Sequence, residues 1–400
     1  MKTLIFIVPF LFSSQSEAAC PEPIKSGLEA YHCILEQSPN MQALRFRNEE
    51  IQALSDKAKQ LPNPEFDAGL EFTGEKKTEV SLLQPIELGG KRGARVERAQ
   101  AETSLFSARD LESRIEASNL ALDALMRHRQ LQSEGNLVKD SLSILERVNR
   151  RLKSRPALSP EQKTALRLFS TFEKTLRFRK LRIENEYQKA AAFVEAAIGR
   201  PLTKSDRISV GTFKKWPAFD LGPLSGQTAS LRVSMAELKL AESELKLAQS
   251  ESWPDMKIGP SMERQPEQSE TSWGVKLGVT LPLWNFNGGG RDLAKARLRS
   301  AEAAIEATRR QQTSQMDVLQ KQYAALTKVL TDTEPVSEIV RSVKESERLF
   351  DRTLISPASL IETYRSTFEL IEEIHRNEVQ AMLIWSTVEN LKGTFPKELP

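Results

Sequence analysis

Two kinds of apolar pattern divide the chain. Over long stretches apolar residues recur three or four positions apart: Leu111, Ile115, Leu122 and Met126; Val138, Leu142, Leu145, Val148 and Leu152; Leu231, Leu238, Ala241, Leu245 and Ala248; Ile361, Tyr364, Phe368, Ile371 and Ile374. Such spacing marks a narrow stripe on an otherwise charged helix. Proline costs about 3 kcal/mol inside a helix. The proline-free stretches 86–155, 161–200, 224–253, 283–334 and 358–395 therefore bound where long helices run. A helix over about 93 to 152 would reach roughly 90 Å, which predicts an elongated, coiled-coil-like, mainly α architecture.

In two shorter stretches the period falls to two. Trp273, Val275, Leu277, Val279, Leu281 and Leu283 alternate with Gly274, Lys276, Gly278, Thr280 and Pro282. This predicts a strand with one apolar and one polar face, paired with a shorter strand through Met256, Ile258, Pro260 and Met262 across Arg264-Gln265-Pro266-Glu267. Earlier, Phe66, Ala68, Leu70 and Phe72 alternate with Asp67, Gly69 and Glu71. A turn follows around Gly74-Glu75-Lys76-Lys77, then a strand from about Thr78 to Leu88. Each stretch reads as one hairpin.

The two stretches belong to an internal repeat. At one fixed offset Pro85 matches Pro282, Gly93 matches Gly290, Ala99 matches Ala296, Arg151-Leu152 matches Arg348-Leu349, Arg155 matches Arg352 and Ser159-Pro160 matches Ser356-Pro357. Each half is expected to be helix, hairpin, long helix, sharp turn, helix. Residues 1–18 form a signal peptide, with Lys2, the apolar run Leu4 to Phe12 and the small residues Ala18-Ala19. Residues 19–199 form the first repeat (hairpin about 64–88, tip about 151–160) and 200–223 a linker. Residues 224–395 form the second repeat (hairpin about 254–284, tip about 348–357), and 396–400 a tail.

Composition narrows the functional classes. Lys plus Arg number 57 against 54 Asp plus Glu, a net charge of +3, which gives no support to nucleic-acid binding. Three histidines and two cysteines provide no metal-ligand spacing, and no nucleophile, base and orienting group cluster along the chain. The reading is therefore of a non-enzyme without cofactor or metal. Export leaves Cys20 open to a disulfide with Cys33, to lipidation, or to remaining a free thiol.

No later stretch has the roughly 20 apolar residues of a membrane-spanning helix. The strands have the length of about 9 to 11 residues that a tilted strand needs to cross a bilayer, and the aromatics Phe66, Phe72, Trp253, Trp273, Trp284 and Phe286 gather at their ends as an interfacial girdle would. Four strands do not close a barrel, and open edges are not tolerated in lipid, so a membrane reading requires several chains to share one.

The stretches Gln84-Pro85-Ile86-Glu87-Leu88-Gly89-Gly90-Lys91-Arg92-Gly93-Ala94-Arg95 and Leu281-Pro282-Leu283-Trp284-Asn285-Phe286-Asn287-Gly288-Gly289-Gly290 resemble the strand-to-helix junctions of the TolC-like outer-membrane factors, nearest to the heavy-metal-efflux branch. The resemblance covers essentially the whole mature chain. It implies a homotrimer, a trimeric α-barrel continued by a shared 12-stranded transmembrane β-barrel. It also implies an outer-membrane and periplasmic exit duct for small molecules or metal ions in a tripartite efflux (RND-type) or type I secretion system. A periplasmic adaptor and an inner-membrane pump would be its partners. The alternatives are a periplasmic adaptor or another non-channel coiled-coil envelope protein.

Three groups of residues follow as candidates. At the junctions, Pro85 and Pro282 end strands, and Gly89, Gly90, Gly93, Gly288, Gly289 and Gly290 let the chain turn into helices. As a phosphate-binding loop this run fails, because Lys91 is not followed by Ser or Thr. At the tips the resemblance implies adaptor contact through Arg151, Arg155, Ser159, Arg348, Arg352 and Ser356; Ser159 and Ser356 also read as helix caps before Pro160 and Pro357. Pro156 and Thr353 stand where the family usually has glycine. Just past the second tip, Ser359 and Glu362 occupy positions where some relatives carry two acids at the pore entrance, and Glu362 alone matches.

Overall fold

A computed structural model describes residues 20–37, 39–71, 77–219, 228–265, 270–391 and 399. The expected signal peptide, Phe72 with the turn from Gly74, the turn at Pro266-Glu267 and part of the linker lie outside the described residues. The order is α1 (Gly27–Gln37), α2 (Pro39–Lys59), β1 (Glu65–Glu71), β2 (Lys77–Glu87), α3 (Lys91–Lys153), α4 (Pro160–Ile198), α5 (Ala229–Ser250), β3 (Asp255–Gln265), β4 (Glu270–Val279), α6 (Gly288–Asp332), α7 (Val336–Asp351) and α8 (Pro357–Leu391). None of the described helices is long and apolar enough to cross a membrane.

The chain divides into two compact units. One holds α1, the second part of α3, α4 and residues 199–211. Here α3 and α4 pair antiparallel because their stripes face each other. Leu131, Val138, Leu142 and Leu145 on α3, and Ala165, Phe169, Phe172, Leu176 and Ile183 on α4, are buried. Charged residues flank the seam. Arg127 bonds Glu186 at 2.9 Å, Asn149 donates to Glu173 at 2.6 Å, and Arg177 reaches both Glu146 (3.2 Å) and Glu173 (2.6 Å). His128 lies against Tyr187 with ring centroids 4.6 Å apart, and burial lowers its pKa, which favours the neutral imidazole.

The same unit fastens the start of the described chain. Cys20 and Cys33 are disulfide-bonded, so of the three states open from sequence the structure adopts the first. Asp206 accepts from both terminal nitrogens of Arg200, from the Ile24 N–H and from the N–H and hydroxyl of Thr203, each at 2.8 Å. The Arg200 guanidinium, with these N–H donors, holds the Asp206 carboxyl well below the usual carboxylate range. Arg200 also donates to the Pro21 carbonyl, and Arg207 N–H to that of Ile24.

The other unit holds α2, the first part of α3, α5 to α8 and the sheet. Its best-buried helix is α8, where Ile361, Tyr364, Phe368, Ile371 and Ile374 are buried as their spacing predicts. Ser118 and Ser386 hydroxyls meet at 3.0 Å and Asn390 donates to Ser118, a small polar pin inside the apolar contact. Beyond the first unit, the chain is held by rings. Phe213 packs edge-on against Trp385, and Phe219 lies tilted against Tyr323, whose hydroxyl donates to the Pro217 carbonyl at 2.9 Å. The long helix of the second half is interrupted at residues 333–335, where α6 ends and Pro335 precedes α7. The corresponding helix of the first half, α3, is continuous over 63 residues.

Asp206 supplies a pH test. A carboxylate with a depressed folded-state pKa contributes stability that is present at neutral pH and is lost only as the pH falls through the depressed value. Residues 20–26 should therefore resist limited proteolysis from neutrality down past about pH 4, the ordinary aspartate range. Asp206→Ala should cost about 2 to 3 kcal/mol and expose the segment at neutral pH. Release of wild-type protein at the ordinary carboxylate pKa would contradict this account.

Candidate functional site

The four strands form one antiparallel sheet in the order β1-β2-β3-β4. The two sequence hairpins are joined by β2 and β3, whose register runs from Thr78 opposite Arg264 to Glu87 opposite Asp255. Because paired residues share a face, the register sorts every side chain. One face carries Phe66, Ala68 and Leu70 of β1, Val80, Leu82 and Ile86 of β2, Met256, Ile258, Pro260 and Met262 of β3, and Trp273, Val275, Leu277 and Val279 of β4. Trp273, Val275 and Leu277 are 76%, 71% and 65% exposed. A contiguous exposed face of this size marks a surface that meets lipid or another chain.

The opposite face is charged and cross-linked. Lys257 meets Glu65 at 2.5 Å, Lys77 meets Glu263 at 3.4 Å, and Lys276 meets Glu79 at 3.0 Å and Asp67 at 3.3 Å. Sequence alternation placed Lys276 on the polar face, but not the pairs, because they join residues some two hundred positions apart. Between Ser81/Ser261 and Gln84/Ile258 the pairing of β2 with β3 skips two positions. There Gly259 lies so close to Leu82 that a Cβ would collide with its carbonyl oxygen. Glycine is the residue that permits so close a backbone approach.

At the helix end of the sheet, three sequence expectations are corrected in detail. Pro85 does not end β2 but sits within it, opposite Lys257, and the strand continues to Glu87. β4 ends at Val279 and does not run on to Leu283; Thr280 N–H makes one last bond to the Asp255 carbonyl before Pro282, which lacks an N–H, and a tight bond from Leu283 N–H to Leu281 O. The turn out of β2 is made by Gly89 and Gly90, both with left-handed backbones (φ 70° and 76°), whereas Gly93 lies inside α3. Gly288, Gly289 and Gly290 open α6 behind Asn287, itself left-handed at φ 55°. The Asn287 amide donates to the Ala248 carbonyl and to Glu251.

Basic residues after Gly90 bind this junction together. Lys91 pairs with Asp255 at 2.7 Å, Arg92 donates to the Lys59 carbonyl, and Arg95 bonds Glu87 through both terminal nitrogens and the Gln60 carbonyl. Trp253 packs over Gly89. Phe66, Trp253, Trp284 and Phe286 gather at this end, and Trp273 lies toward the other.

The tips are capped turns of two designs. At the first, Ser159 accepts from Gln162 N–H at 3.2 Å and the Gln162 side chain returns to Ser159 N–H, a capping box ahead of Pro160. Arg151 and Arg155 are exposed beside it. At the second, Ser356 accepts from Ser359 N–H at 3.1 Å, and Arg348 lies in the last turn of α7 before Arg352. Thr353 adopts φ 62°, a left-handed conformation unusual for a β-branched residue, where Pro156 of the first tip is confined to negative φ. Glu362 is exposed and pairs with Arg365 on its own helix at 3.2 Å.

This fold is that of the TolC-like outer-membrane channels. The outer membrane protein VceC of Vibrio cholerae superposes with a TM-score of 0.71, at 15% identity over 92% of this chain and 96% of that one. The CmeC outer membrane channel of Campylobacter jejuni superposes with a TM-score of 0.68, at 12% identity over 93% and 86%. In sequence, the nickel-cobalt-cadmium resistance protein NccC of Alcaligenes xylosoxydans xylosoxydans is 25% identical over 62% of this chain and 58% of its own length. No family profile matches the chain. The likeness read from the junction motifs is borne out as a likeness of fold, and the curated relative accords with the heavy-metal branch.

Gly89→Ala and Gly90→Ala should separate the two demands on the junction. Both force alanine into a left-handed backbone, at about 1 to 2 kcal/mol. Only the Gly89 methyl collides with Trp253. Gly89→Ala should therefore lower the thermal midpoint of the detergent-extracted protein more than Gly90→Ala. Equal losses would mean that Trp253 moves aside without cost.

Proposed function

We propose that the chain is the passive outer-membrane and periplasmic exit duct of a tripartite, RND-type efflux system or of a type I secretion system. In this reading three copies share one barrel of twelve strands, four from each, an even number within the range of outer-membrane barrels. The helices continue the barrel as a periplasmic duct. The observation that carries it is the one-sided sheet. Its apolar face is exposed, its opposite face is ion-paired, and β2, β3 and β4 have 11, 11 and 10 residues, enough to cross a bilayer at a tilt. The repeats at 19–199 and 224–395 each supply a hairpin and a helical tip.

The tips are the proposed docking places for an adaptor, through Arg151, Arg155 and Ser159 and through Arg348, Arg352 and Ser356, with an inner-membrane pump behind it. Six similar turns in a trimer would let weak contacts add up. Glu362, answered by Arg365, is the candidate pore-entrance acid. Among cargoes, the name of the curated relative favours divalent metal ions. No catalytic step belongs to this reading.

The strand faces give the sharper test. On the lipid face near mid-membrane an arginine costs about 2 to 4 kcal/mol, and on the lumen face little. Leu277→Arg should deplete the cross-linked trimer in native membranes, while Ser272→Arg on the polar face of the same strand should not. A water-soluble monomer extracted without detergent would sink the channel reading. Separately, Arg151→Glu with Arg348→Glu should leave trimer and insertion intact and abolish export, measured as metal or drug tolerance in cells. Normal export with retained tip cross-links would place the docking surface elsewhere.

A further inference from the structure

The polar face holds an ion pair that a flat sheet does not allow. Lys276 lies on β4 and Asp67 on β1, the two edges of the sheet, separated by β2 and β3. At about 4.8 Å per strand the edges of a flat sheet would stand roughly 14 Å apart, with side chains roughly perpendicular to it. The pair nevertheless closes at 3.3 Å, and Lys276 also reaches Glu79 on β2 at 3.0 Å. Lys276 is the pairing partner of Gly259, which has no side chain to obstruct the lysine stem, and closure of the pair across two intervening strands requires the sheet to be concave on its polar face. The Lys257–Glu65 pair, which also skips a strand, follows the same curvature.

The edges therefore carry opposite charges on one face, lysine at β4 and carboxylate at β1, while both present unpaired backbone groups to any further strand. Within one chain the edges lean together through side chains alone, and no ladder joins β1 to β4 among the described residues. A second copy satisfies both needs, because its β1 runs antiparallel to this β4 and brings its own carboxylate to this lysine.

We propose that Lys276 and Asp67 are an edge-recognition pair that is exchanged on assembly. In the lone chain they hold the sheet curled. In the assembled barrel Lys276 of each copy pairs with the β1 carboxylate of the next. The exchange selects β4-to-β1 joining over β4-to-β4 or β1-to-β1, each of which would set like charges together. The proposal rests on the shared-barrel reading and adds to it which residues choose the partner edge.

The test uses the full-length chain in native membranes. Chains carrying Lys276→Cys and chains carrying Asp67→Cys, with different tags, are expressed together and oxidised. The pair predicts a covalent heterodimer containing both tags. Loss of the heterodimer while amine cross-linking still shows a trimer overturns the exchange and leaves the channel reading standing. Absence of any trimer overturns both. Charge variants give an independent readout. Lys276→Glu alone and Asp67→Lys alone should each lower trimer yield severalfold, and coexpressing the two chains should recover part of it, since a ring of three built from both has two opposite-charge junctions and one like-charge junction, against three like-charge junctions in either variant alone. If the pair acted only within a chain, mixing would restore nothing, and that result would also overturn the proposal.

Discussion

A β-strand in hydrocarbon must find a partner for every N–H and C=O, and each unmet group costs several kcal/mol. The sheet described above meets that demand along its three internal seams, apart from the interruption between Ser81/Ser261 and Gln84/Ile258, and leaves it unmet along the outer sides of β1 and β4. The exposed apolar face suits lipid and the ion-paired face suits water. The strand-skipping pairs Lys276–Asp67 and Lys257–Glu65 draw the polar face together between these two open edges.

The junction keeps this sheet in register with long helices. A strand repeats every two residues and a helix every 3.6, so the passage between them must be made at defined positions. Left-handed glycines turn the backbone after β2, a left-handed asparagine does so before α6, and charges of Lys91, Arg92 and Arg95 fasten the start of α3 to its neighbours. Lys91 is mostly screened from solvent and Arg95 engages Glu87 through both terminal nitrogens, which sets these pairs apart from ordinary surface ion pairs of little energetic consequence. Along the helices the apolar stripes remain narrow, so stability is distributed over length rather than gathered into one broad core.

Local rules made much of this legible. Helical stripes on α3, α5 and α8 and the alternation of β4 are set by neighbours a few residues away, and they appear where periodicity places them. The strand ends were less legible. Pro85 is tolerated inside β2, which no rule about proline alone foretells, while Pro282 falls beyond the end of β4. The Lys276 contacts and the aromatic packing of Phe213, Trp216 and Phe219 depend on which strands and helices become neighbours, and that information is tertiary. At the tips the serines were readable as caps from the prolines that follow them. The left-handed Thr353 was not, since threonine ordinarily avoids that conformation.

The fastening of residues 20–26 joins events of very different reach. Cys20 and Cys33 are 13 residues apart, a loop that a disordered chain closes readily, whereas Ile24 and Asp206 are 182 apart. The first link can form while nearly everything downstream is still unfolded. The second needs α4 in place and Arg200 already turned toward Asp206. A chain that has made only the first is stapled but unlatched, so occupancy of the Asp206 latch reports that the intervening helices have folded.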